Sequence, residues 1–108
     1  GSPAGSTTVR TASGADASYA AAVVACVRPH VVFAVPEGTS RGVYAEFRVD
    51  LLPDGSVAGV RLTRASGLPG YDAAAERAIR RCDPFPRPRD GRIERTIDLR
   101  MAPVDAPR

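Results

Sequence analysis

The chain has 108 residues, room for one domain and little else. Apolar residues make up 44% and aromatics 6%, with no Trp, so a core must be built from Val, Leu, Ile and Ala; a chain of this size buries only about two-thirds of its unfolded surface. The net charge is +3, and the 15 basic residues, all Arg, are scattered among 12 carboxylates rather than massed in the stripe of a nucleic-acid binder. The longest apolar run, Tyr19 to Val27, falls far short of the ~20 residues a membrane-spanning helix needs.

Residues 1–15 are mostly Gly, Ser, Thr and Ala, with Pro3, Val9 and Arg10 among them and no periodicity, which predicts a flexible linker, and Gly1-Ser2 reads as a cloning remnant. Residues 16–103 form the single domain, and residues 104–108 a tail. Asp16 or Ser18 supplies an N-cap for a helix running from Tyr19 to Arg28. Tyr19, Val23, Cys26 and Val27 fall on one face of it. Pro29 closes the helix. Val31 to Val35 is apolar but short, and Pro36-Glu37-Gly38 ends it. Its side chains are expected to tuck the connection against the core without joining the sheet.

From Val43 the pattern changes. Val43, Ala45, Phe47, Val49 and Leu51 alternate with Tyr44, Glu46, Arg48 and Asp50, the period-two signature of a strand with one buried face. Pro53-Asp54-Gly55 supplies a turn, and Ala58, Val60 and Leu62 resume the alternation up to Arg64, so the pair reads as a β-hairpin. Ser66 to Gly70 is a loop by composition. Tyr71 to Arg81 predicts a second helix with Tyr71, Ala74 or Ala75, Ala78, Ile79 and Cys82 on its apolar stripe. Its acidic start and basic end suit the helix dipole. Asp83-Pro84-Phe85-Pro86 forbids further helix. A third strand, roughly Arg92 to Met101, follows, with Arg95 the one poor position on its inward face.

The order helix, strand, strand, helix, strand predicts an α+β fold. The hairpin strands are antiparallel, and the second helix returns the chain so that the third strand lies antiparallel to the first. The expected sheet is three-stranded and antiparallel in the order 2-1-3, with two helices packed on one face. The third strand is then an exposed edge. Strand two is the other edge, but Gly59 weakens it as a template.

Few residues offer chemistry. Cys26 and Cys82 each sit on an apolar stripe near a helix end. A structural disulfide is the leading reading. Two reduced core thiols, or a metal site with His30 and Asp83, are the alternatives, although Pro29 disturbs the spacing the latter needs. His30, the only His, sits beside a helix-ending Pro with no third residue to orient a Cys–His pair. No phosphate-binding loop or nucleophile elbow is present. The expectation is no catalytic residue, no metal, no cofactor and no enzyme activity.

One combination of segments resembles a known family. Ala25-Cys26-Val27-Arg28-Pro29, the run from Phe47 to Val57 with its Pro-Asp-Gly turn, Ala65-Ser66-Gly67, Tyr71-Asp72-Ala73-Ala74, and Ala78 through Cys82-Asp83-Pro84-Phe85-Pro86 look like the C-terminal domains of the TolA/TonB superfamily, over about Tyr19 to Met101. The Cys-Val-Arg-Pro and Arg-Arg-Cys-Asp-Pro-Phe-Pro segments are the more TolA-like. The resemblance implies a periplasmic interaction domain of the Tol-Pal envelope-integrity system. Such a domain is tethered to the inner membrane through an anchor and spacer outside this sequence, acts in envelope constriction and binds an N-terminal segment of TolB. Colicins and filamentous-phage coat proteins exploit such domains. A TonB-like domain, engaging the box peptides of outer-membrane transporters, is the alternative.

An exposed edge strand offers unpaired N–H and C=O groups to a partner. The partner-binding surface is therefore expected along Ile93, Glu94, Arg95, Thr96, Ile97, Asp98 and Leu99. On that reading a Pro at Thr96 or Asp98, whichever has its amide pointing outward, abolishes binding while the fold survives.

Overall fold

The computed structural model describes residues 6–11, 17–40, 42–87 and 94–104. Six elements follow in chain order: β1 (Ser6–Thr11), α1 (Ala17–Val27), β2 (Ala45–Leu51), β3 (Val57–Arg64), α2 (Tyr71–Arg81) and β4 (Thr96–Ala102). They build one antiparallel sheet in the order β1-β4-β2-β3, with both helices on the same face. The three strands read from the sequence keep their expected order as β3-β2-β4. The expectation of only three strands is corrected: a fourth comes from the segment read as linker. Of the remaining assignments, residues 1–5 and 12–15 of the linker, the Asp16 cap, Arg92, Ile93 and residues 105–108 of the tail lie outside the described residues.

The helices start and stop where local chemistry dictates. α1 buries Tyr19, Val23 and Val27, and the chain tightens into a 3-10 turn at Arg28–His30 around Pro29, since that Pro cannot continue the ladder. Beyond it Val31 and Phe33 pack on the core in an extended segment that joins no sheet, while Val32 points outward and is 79% exposed. α2 follows Gly70, whose φ of +82° is left-handed and suits a residue without Cβ. Asp72, in the first turn of α2, accepts from the Ser66 backbone N–H at 3.1 Å and from the Ser66 hydroxyl at 2.6 Å, and Ser66 Oγ in turn accepts from the Leu68 N–H at 3.0 Å. One carboxylate thus orders the whole loop into α2 and sits at the positive end of the helix dipole.

The hairpin turn behaves as its residues require. Gly55 adopts φ +91°, its N–H donates to Leu52 O at 2.9 Å, and Asp54 Oδ1 accepts from the Ser56 N–H at 2.9 Å. The segment after α2 then folds over this turn. Phe85 donates its N–H to Gly55 O at 2.9 Å and buries its ring, and Asp83 Oδ1 accepts from the Val57 N–H at 3.3 Å. Asp83 and Phe85 thereby seat the hairpin against the core.

The core is one cluster. Ala45, Phe47, Val49 and Leu51 of β2 and Ile97, Leu99 and Met101 of β4 meet Tyr19, Val23, Val27, Tyr71, Ala75, Ala78 and Ile79 from the helices. Cys26 and Cys82 lie within this layer and are disulfide-bonded, joining the C-terminal ends of α1 and α2 across a separation of 56 residues. Closing a loop of that length stabilises by about 4 kcal/mol in the chain-entropy account. Reduction, or the double substitution Cys26→Ala/Cys82→Ala, is expected to lower Tm by more than ~10 °C, measured by calorimetry with and without reductant.

Tyr71 adds a pH dependence. Burial first, and Asp72 second, push its hydroxyl up to about 12 from an ordinary value near 10. The folded state therefore favours the neutral phenol. The stability this represents is fully present below pH ~10 and is lost as pH rises through about 12. Tyr71→Phe is expected to flatten that part of the stability profile, read as Tm between pH 9 and 12.

Candidate partner-binding edge

The residues singled out from the sequence fall on and just before β4. Ile97 and Leu99 are buried beneath the helices, and Thr96 and Asp98 face the opposite, open side of the sheet. Glu94 and Arg95 precede the strand, and Ile93 lies outside the described residues. Arg95 continues the ladder all the same: its carbonyl accepts from the Leu51 N–H at 2.8 Å, and its Nε donates to Leu51 O at 2.9 Å. That contact resolves the poor inward position noted in the sequence. The guanidinium finishes the end of β2 instead of entering the core.

The main correction concerns exposure. β4 is not an edge. β2 pairs with it on one side, from Ala45↔Met101 to Asp50↔Thr96, and β1 pairs with it on the other, from Ser6↔Ala102 to Thr11↔Ile97. The free edges of the sheet are the outer sides of β1 and β3. What covers the expected partner surface is the chain's own N-terminal segment.

β1 is a thin cover. Thr7, Val9 and Thr11 face the helix side and are half-buried, whereas Ser6, Thr8 and Arg10 are exposed. Val9 packs on the core cluster, and Thr11 Oγ1 is buried with no hydrogen-bond partner among the described residues. Where β1 and β4 meet the Val31–Val35 connection there is a cleft of about 110 Å³, lined by Thr7, Arg28, Val31, Phe33, Tyr71 and Met101 among others. The Phe33 ring stands edge-on to Tyr71 at 5.2 Å and forms part of its wall. The sequence signal for β1 is weak, a run of β-branched Thr7, Thr8, Val9 and Thr11 broken by Arg10. It carries a single apolar residue and so reads as a polar linker.

The open face of the sheet is a lattice of charge. Arg48 of β2 donates to Asp98 of β4 through Nε at 2.9 Å and Nη2 at 3.4 Å. That hydrogen bond, together with the carboxylate charge, raises the guanidinium further above its ordinary value. Arg100 approaches Glu46 at 3.8 Å, and Arg61 approaches Asp50 at 4.0 Å. Tyr44 lies between two cations, with Arg64 and Arg100 over its ring at 4.6 and 4.5 Å. Exposed pairs of this kind add little stability, because water screens them. Their effect is to set which side chain an added strand finds opposite it.

The cysteine chemistry is settled by geometry. Both sulfurs are joined to each other, which removes them from the metal-site and nucleophile readings. Among the described residues no group of three or more His, Cys, Asp or Glu side chains converges on one point. His30 lies half-buried in the 3-10 turn.

Comparison with known proteins agrees with this architecture. The family model described as TonB C terminal matches residues 16–101. The fold is shared with a solution NMR structure of TolAIII bound to a peptide derived from the N-terminus of TolB, at a TM-score of 0.61 and 24% identity, over 79% of this chain and 72% of that one. No curated protein matches the sequence.

Because β4 is now an interior strand, its amides are shared between β1 and β2. Asp98→Pro removes a ladder donor opposite Arg10 of β1 and leaves a carbonyl without its partner, at about 1–3 kcal/mol. The substitution is expected to lower Tm itself, in contrast to the neutral effect an edge strand would show.

Proposed function

The chain belongs to the TonB C-terminal family, and from that premise we propose that it is a periplasmic protein-binding domain of the TolA type. It takes an extended N-terminal segment of a TolB-like partner as an added strand of its sheet. The observation that carries this reading is the flank of β4, a strand with fully buried Ile97, Leu99 and Met101 whose neighbour on that side is only a half-buried, largely polar strand. A segment that replaces β1 there takes over its main-chain hydrogen bonds for affinity and adds alternating side-chain contacts for specificity. The TolB peptide bound in the structure that shares this fold supports the choice of partner.

In this reading the domain acts in the Tol-Pal system as an adaptor without catalytic residues or cofactor. It is held at the inner membrane through a part of the protein outside this sequence, and colicins and filamentous-phage coat proteins compete for its surface. The family description itself favours a second reading, a TonB-like domain engaging the box peptide of an outer-membrane transporter.

Titration of the isotope-labelled protein separates the two. A TolB N-terminal peptide is expected to shift amides of Thr96–Ala102 and Ser6–Thr11, with a transporter box peptide leaving them unmoved. The reverse pattern selects the TonB-like reading. Absence of any shift on the sheet with either peptide overturns strand addition altogether.

A further inference from the structure

We propose that Ser6–Thr11 is a built-in occupant of the partner edge, so that the domain exists in a closed form with β1 on β4 and an open form in which an incoming strand has replaced it. The proposal rests on the strand-addition reading for the identity of its partner, but the competition itself rests on the pairing of β1.

Four observations support exchange. β1 has no apolar residue other than Val9, and its inward side chains remain half-buried where those of β2, on the other flank of β4, are fully buried. Thr7 and Thr11 place hydroxyl-bearing side chains opposite Met101 and Ile97, two buried apolar side chains. Thr11 Oγ1 is buried with no hydrogen-bond partner among the described residues, a cost that pairing must offset. Finally, β1 is followed within six residues by α1, whose first residue is Ala17. A short connection of that kind gives a weak strand a high effective concentration at its own edge. Intramolecular pairing therefore needs little intrinsic affinity, and a better-matched strand displaces it.

The register specifies the partner. It runs antiparallel to β4 and carries apolar or β-branched side chains opposite Ile97, Leu99 and Met101, where this chain has Thr11, Val9 and Thr7. It places a basic residue opposite Asp98, as Arg10 is placed here, and a small polar one opposite Arg100, as Thr8 is. A cleft of about 110 Å³ lies at the Met101 end, with room for one further side chain.

The probe is a synthetic peptide of the Ser6–Thr11 sequence with two flanking residues on each side, added to the full chain. In the variant Thr8→Pro/Val9→Pro, adjacent prolines remove a ladder amide whichever of the two bonds to β4. That variant is expected to bind the peptide at least tenfold more tightly than the unaltered chain, since an occupied edge lowers apparent affinity by the open fraction. The shifted amides should be those of Thr96–Ala102, with the β2–β3 amides unchanged as the check on folding. Val9→Gly weakens the same strand without proline and must move affinity in the same direction. Equal affinity of the unaltered chain and both variants, no binding by a folded variant, or shifts on β3 instead overturns the proposal. The TolB peptide is run in parallel: if the Ser6–Thr11 peptide binds the released edge and the TolB peptide does not, the adaptor reading fails while the built-in occupant stands.

Discussion

Everything in this domain hangs on one apolar face. Ala45, Phe47, Val49 and Leu51 of β2 and Ile97, Leu99 and Met101 of β4 are each at most 2% exposed, and they meet helices that contribute Tyr19, Val23, Val27, Tyr71, Ile79 and two Ala. The Ala positions allow close approach but bury little area, and burial stabilises roughly in proportion to area. The Cys26–Cys82 bridge ties the two helices together above the sheet, and the Asp83–Phe85 segment fastens the hairpin turn to the same core. Each tie acts at an end of an element, where packing alone is weakest.

The same one-sidedness determines what the sheet can offer a partner. One face is filled by helices, and the other is a charged lattice whose pairs set register and contribute little energy. An incoming chain therefore has the strand edges to work with. The outer side of β3 is open, but its pairing with β2 is irregular beside Asp50 and Gly59 and again beside Glu46; bulges of this kind blunt an edge against further strands. The flank of β4 is regular over six residues and already carries a strand. On the proposed reading, the flank that takes a partner strand is the one the chain covers with its own N-terminal segment.

Helices and the hairpin were legible because their causes are local. α2 occupies Tyr71–Arg81 and β3 occupies Val57–Arg64, as the periodicity and the Pro-Asp-Gly turn require. The apolar stripes through Tyr19, Val23, Val27 and through Tyr71, Ala78, Ile79 already place Cys26 and Cys82 on facing sides of one layer. A helix satisfies its own backbone, and a two-stranded hairpin satisfies half of its own through a turn written in the sequence. These features follow from residues a few positions apart.

The state of the candidate edge does not. Ser6–Thr11 has no internal hydrogen bonds and one apolar residue, so nothing local distinguishes it from a solvated linker. It becomes a strand because a distant strand, Thr96–Ala102, presents unpaired amides in register with it. Arg95, similarly, looks like a misplaced charge until Leu51 O is brought within 2.9 Å of its Nε. The alternation along Ile97, Leu99 and Met101 is sufficient to identify a strand and its buried face. Whether that strand has one neighbour or two depends on backbone groups more than eighty residues away, and only the assembled tertiary structure decides it.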